Sequence, residues 1–182
     1  MYLENFQVGV KWQVPFVFLA LLIPSAVYNT HLYHDLVEGF AIVVAILTYV
    51  VASNTYRFSQ SHFLMFLGCG YFWVGLLDFF HTISFLNPNI FPNADAGTTI
   101  QFWVMARLFE ALLLLSFSSF INKKINVSWL FWGMGSAFFL ILLVIALGIL
   151  PTLFTEGSGL TTTKVVSEYL IIAILLFALK RV

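Results

Sequence analysis

The sequence predicts an all-α fold: a polytopic bundle of six transmembrane helices with both termini in the cytoplasm. Three observations carry this expectation. Hydrophobic residues make up 61% of the 182 residues and charged residues only 9%, against about a quarter charged in a soluble domain. The apolar residues gather into six continuous runs without two-residue alternation, and about 20 helical residues suffice to cross a hydrocarbon core. The basic residues of the connections fall on one side of a six-helix count. Lipid is then the expected solvent, and lipid admits only helices or closed barrels.

The first run, Trp12 to Tyr28, is the shortest, and Pro15 and Pro24 should bend or shorten it. The preceding MYLENFQVGVK lacks the basic start and small-residue cleavage site of a signal peptide, so this run is expected to stay as a helix. The others span Leu32 to Ser53, Ser61 to Leu86, Thr98 to Ile121, Ser128 to Leu150 and Thr161 to Leu179. Turn-rich connections separate them: Asn29-Thr30-His31, NTYRFSQ, NPNIFPNADAG, NKKIN and PTLFTEGSG. Thr161-Thr162-Thr163 reads as the cap of the last helix. Gly68, Gly70 and Gly75 in the third run, and Gly133 and Gly135 in the fifth, would let helices approach closely. Trp73, Trp103, Trp129 and Trp132 read as packing groups or interface anchors.

Lys11, Arg57, Lys123, Lys124, Lys180 and Arg181 share one side, which the positive-inside rule makes cytoplasmic. The opposite connections hold Asp95 and Glu156. Omitting the first helix would move only the N-terminus. Formal net charge is zero, which gives no general attraction for nucleic acid. The single cysteine, Cys69, cannot form an internal disulfide.

The informative residues are ionisable ones inside the runs, where they are costly and point to function by default. At 1.5 Å per residue, Glu38 lies about 9 Å below the outer end of its helix, His81 about 8 Å, Asp78 about 12 Å, Arg107 about 14 Å, Glu110 about 18 Å and Glu168 about 10 Å. His34 and Asp35 sit near the rim, and Lys164 lies above Glu168. Four helices thus place ionisable groups in one slab of the outer half. His34 and Glu38, and Lys164 and Glu168, are four apart; Asp78 and His81, and Arg107 and Glu110, are three apart, so each pair shares a helix face.

Two arrangements follow from these spacings. In one, Arg107 neutralises Glu110 or Asp78 and the cluster pins helix packing. In the other, His34, Glu38, Asp78, His81, Arg107, Glu110 and Glu168 line a ligand pocket open to the periplasm. Its acidic excess suits a cation, a metal or an amine, and His34 and His81, with Glu38, form a candidate metal or haem ligand set. Any single histidine can equally be a hydrogen-bonded interfacial group, as expected for His31 and His62.

No phosphate-binding glycine loop, HExxH or GxSxG is present, no lysine lies at mid-membrane for a retinal Schiff base, and no helix reads as the broken halves of many transporters. The expectation is therefore a non-enzyme. A transporter or channel is an alternative, opposed by the nearly uncharged inner halves of the helices. A membrane-embedded enzyme using His81 with Asp78 or Glu38 as base is another.

At these residues the sequence resembles a known family. HDLVEGFAIVVA from His34, GYFWVGLLDFFHT from Gly70, FWVMARLFEALLLL from Phe102 and EGSGLTTTKVVSEYLII from Glu156 are similar to the bacterial membrane-associated sensor domain family of the third type. The ordered set covers the chain from about Leu32 to its end, and the motif residues carried over are His34, Glu38, Asp78, His81, Arg107, Glu110 and Glu168. The resemblance implies an input module, residues 1–182, in the bacterial inner membrane. It implies partners as well: lipid, a small-molecule or ion ligand, a cytoplasmic diguanylate cyclase (c-di-GMP signalling) or histidine kinase output module, and a second copy in a homodimer. The family pattern continues with further helices and an output domain, so the expectation is a domain truncated at its C-terminus or a stand-alone variant.

Overall fold

The computed structural model describes residues 13, 16–20, 22–86, 96–117, 119–120, 124 and 126–181. The elements in order are α1 (Phe16–Tyr28), α2 (Thr30–Ser59), α3 (His62–Leu86), α4 (Ala96–Phe117), α5 (Val127–Ala146), a hairpin of β1 (Phe154–Thr155) and β2 (Gly159–Leu160), and α6 (Thr162–Arg181). Trp12, Lys11, Pro15, Lys123, Asp95 and most of the third connection lie outside the described residues.

Among the described residues five helices, α2 to α6, are long and apolar enough to cross a membrane. The sixth expected span, Trp12 to Tyr28, lies partly outside the described residues. The first predicted run survives as α1, with Pro24 inside it, but it is shorter than the about 20 residues a crossing needs.

Contacts divide the chain into two compact units, Met1–Phe40 and Ala41–Val182, with α2 beginning in one and continuing in the other. In the first unit, Asn29 starts α2: its side-chain oxygen accepts from the backbone N–H groups of His31 (2.9 Å) and Leu32 (3.3 Å), two donors a helix start leaves unpaired. The Phe18 and Phe40 rings stack 3.8 Å apart.

In the second unit α3 is the central helix. It packs on α4 and α5, and α4 packs on α6. Its glycines let α2, through Ala52 and Ala45, and α4, through Leu113, come close. A Cβ on Gly68 would collide with the Ala52 methyl, one on Gly75 would stand 2.8 Å from the Ala45 methyl, and one on Gly70 would enter the Leu113 side chain. Trp73 of α3 fills the space that Gly135 leaves on α5 and donates its indole N–H to the Phe131 carbonyl at 3.0 Å. Around it Leu77, Phe102, Ala106, Phe138 and Ile141 form the largest buried cluster. Gly133, expected to serve the same purpose, faces open space instead.

Two connections differ from expectation. The helical ladder of α2 continues through most of NTYRFSQ, which puts Arg57 in its last turn rather than in a loop. The reversal is left to Gln60, whose φ of 50° is unusual for a side-chain-bearing residue. Helix α5 stops at Ala146, not Leu150, because Gly148 takes φ 64° just beyond it. PTLFTEGSG forms the antiparallel hairpin, Phe154 opposite Leu160 and Thr155 opposite Gly159, with Gly157 and Gly159 at positive φ. Thr161 does cap α6: its hydroxyl oxygen receives the Lys164 N–H at 3.4 Å while its own proton goes to the Thr152 carbonyl at 2.9 Å.

Exposed apolar side chains run the length of α2, α5 and α6, among them Val43, Leu47, Leu140, Leu143, Leu170 and Phe177. Water would not tolerate such continuous apolar faces; hydrocarbon does.

Candidate functional site

Helix α3 carries Asp78 and His81 three residues apart, so both point into the second unit, where each is buried (7% and 5% exposed). Helix α4 carries Arg107 and Glu110, likewise three apart. The packing of α3 on α4 closes the arrangement. Arg107 Nη2 donates to Asp78, 2.6 Å from Oδ1 and also to Oδ2, and Nη1 donates to Glu110 Oε2 at 2.6 Å. One guanidinium therefore serves two carboxylates, and the fully ionised triad carries a net charge of −1. Both of the pairings that sequence spacing left open for Arg107 are made at once. Its planar fork suits this, because each terminal nitrogen can be aimed at a different acid.

These three side chains line a cavity of about 280 Å³, together with Tyr71 of α3 and Ala45 and Thr48 of α2. Sequence reasoning missed Tyr71, although it lies seven residues before Asp78, two helical turns along the same face. His81 contributes differently. Its Nδ1–H donates to the Thr99 carbonyl at 2.8 Å, which ties α3 to the start of α4 and, in the neutral ring, leaves the lone pair on Nε2.

Helix α6 supplies the other predicted charges. Lys164 Nζ donates to Glu168 Oε1 at 2.6 Å and lies 5.1 Å from the centre of the Trp103 ring. With its side chain only 13% exposed, the ammonium has exchanged water for a carboxylate and an aromatic face. Trp103 is expected from sequence as a packing group or interface anchor; the signal for its role is its position four residues before Arg107, on the same face of α4. Glu168 and Arg107 border a second cavity, of about 370 Å³, between α4 and α6. Within this unit Asp78, Arg107, Glu110 and Glu168 thus border two cavities, and Arg107 belongs to both.

In the first unit His34 Nε2 is 3.2 Å from Glu38 Oε1, the predicted i,i+4 pair, and its Nδ1 is 3.7 Å from Asp35. The candidate metal set is divided between the units: His34 and Glu38 belong to the first, His81 to the second. At the far end of α2 and α3, His62 Nδ1 and the Tyr56 hydroxyl share a hydrogen bond of 3.0 Å.

No curated protein and no solved structure matches the chain. Its apolar, membrane-length helices make it a multi-pass membrane protein. Residues 25–182, from α1 through all of α2 to α6 and including each polar residue described above, match the pattern of the MASE3 membrane-associated sensor domain, and the chain belongs to that family.

Proposed function

We propose that this domain is the non-catalytic sensory input of a signalling protein in the cytoplasmic membrane. Its signal is a small cation, a protonated amine or a proton drawn to the cavity at Asp78, Arg107 and Glu110. The observation that carries the reading is the charge count at that cavity: two carboxylates against one guanidinium, inside membrane-spanning helices. An uncompensated negative charge in a low-dielectric slab is costly, and a cation or proton at the cavity offsets it. A volume of about 280 Å³ is near the lower end of small-ligand pockets.

The basic residues Arg57, Lys180 and Arg181 at helix ends support placing those ends in the cytoplasm. The polar groups then lie in the outer half, open to a periplasmic signal. Helix α6 holds Glu168 near one end and Lys180-Arg181 at the other, a direct path to a cytoplasmic diguanylate cyclase or histidine kinase. His34 with Glu38 is a further proposed polar element, within the first unit. A ligand shifts output only if it binds two helix arrangements unequally. Neutralising a carboxylate should therefore bias the output.

The test is a chimera of this domain with a diguanylate cyclase, assayed in membranes across pH and a panel of cations and amines. Asp78→Asn and Glu110→Gln should shift the response while membrane insertion stays normal. Unchanged output in both variants would sink the proposal.

A further inference from the structure

The cavity between α4 and α6 differs in chemistry from the one at the Asp78 carboxylate. Its walls are Trp103 and Arg107 of α4, and Val165, Glu168, Tyr169 and Ile172 of α6. Val165, Tyr169 and Ile172 are exposed on a helix of membrane-spanning length and hydropathy, so the mouth opens sideways toward the acyl chains. Its inner end is polar. Glu168 uses Oε1 for Lys164, and its second oxygen remains an acceptor. Arg107, whose two terminal nitrogens go to Glu110 and Asp78, closes that end of the cavity.

An aromatic wall, a lipid-side mouth and an inner end with a carboxylate acceptor define the occupant. It is soluble in the bilayer, because that is how it arrives. It is neutral, because Glu168 is already matched by Lys164 and Arg107 by its two acids. It is ring-shaped, because two aromatic side chains, Trp103 and Tyr169, line the walls and aromatic side chains favour ring partners, and a volume of about 370 Å³ holds a ring with a short substituent. It carries a hydroxyl that can donate a hydrogen bond to the second oxygen of Glu168. We propose that this cavity binds a lipid-soluble ring compound bearing a hydroxyl group, the chemistry shared by quinols and by alicyclic membrane alcohols. The site lies beyond the cation cavity proposed above and touches it through Arg107 alone, so its occupancy would be felt at the Asp78–Arg107–Glu110 triad.

The experiment is equilibrium dialysis of the purified chain in lipid nanodiscs against a short-tailed para-hydroquinone, its dimethyl ether, and a cyclohexanol with the same tail. We expect one saturable site for a free-hydroxyl ring and binding weakened about tenfold or more for the dimethyl ether, which has lost the hydrogen bond to a charged group. Tighter binding of the hydroquinone than of the cyclohexanol assigns the quinol source, and the reverse assigns the alicyclic one. Ile172→Trp, at an exposed position where folding is not at stake, should fill the mouth and abolish saturation, and Tyr169→Leu should weaken it severalfold. Partition into the disc without saturation, or saturation unaltered in both variants, overturns the proposal.

Discussion

Consider Arg107→Met, which keeps the length and apolar bulk of the side chain and removes its charge. Asp78 would lose both of its hydrogen bonds to the guanidinium and Glu110 its one. Two carboxylates would face each other across a cavity wall, with the Asp78 side chain only 10% and Glu110 22% exposed. Breaking a buried pair by removing one partner costs about 3–5 kcal/mol. Arg107 is 30% exposed, so screening lowers this to roughly 2–3 kcal/mol. Asp78→Asn should cost less, about 1–2 kcal/mol, because Arg107 keeps Glu110 and the amide oxygen can still accept. Glu110→Gln should cost least, since it is the more exposed acid and takes only one hydrogen bond from the guanidinium. The decisive variant is the triple one, Arg107→Met with Asp78→Asn and Glu110→Gln. It removes every charge together and should recover most of the loss, since neutral replacement of a buried ion cluster is often near neutral. The assay is reversible unfolding of the purified domain in mixed micelles, followed by circular dichroism. If Arg107→Met unfolds like the parent, or the triple variant is less stable than Arg107→Met alone, the triad does not hold α3 to α4 in the way argued here.

Gly135→Ala places a methyl group 2.6 Å from the Trp73 ring and should destabilise by about 1–3 kcal/mol, whereas Gly133→Ala, which meets nothing, should be neutral or stabilise by up to about 1 kcal/mol; thermal unfolding of the two variants side by side checks the contrast. Lys164→Met removes both the Glu168 partner and the cation over Trp103, and should lower stability by about 1–2 kcal/mol; if Trp103→Leu in the Lys164→Met background costs as much as in the parent, the ring contact contributes nothing.

The membrane class, the five long helices and the position of each polar residue were legible in the sequence, because lipid imposes a simple rule: long apolar runs must be helices and the charges inside them must be few. Local spacing revealed the pairs that lie on one helix, Arg107 with Glu110, Lys164 with Glu168 and His34 with Glu38, since three or four residues bring side chains together whatever the rest of the chain does. Composition was a poorer guide to helix ends. Polar residues at the end of α2 looked like a loop, but a hydrogen-bond ladder already formed continues into the interface, and the hairpin after α5 depends on two glycines at positive φ that hydropathy does not register. Only the tertiary structure decided that Asp78 takes the same guanidinium as Glu110, that Trp103 receives Lys164, that His81 binds the Thr99 carbonyl, and that two cavities meet at Arg107. Those partners lie on different helices, and what brings them within bonding distance is how closely α3 packs on α4, and α4 on α6. That closeness is set by side-chain shape, as where Gly70 of α3 leaves room for Leu113 of α4, and the order of residues along one chain does not encode it in any local spacing.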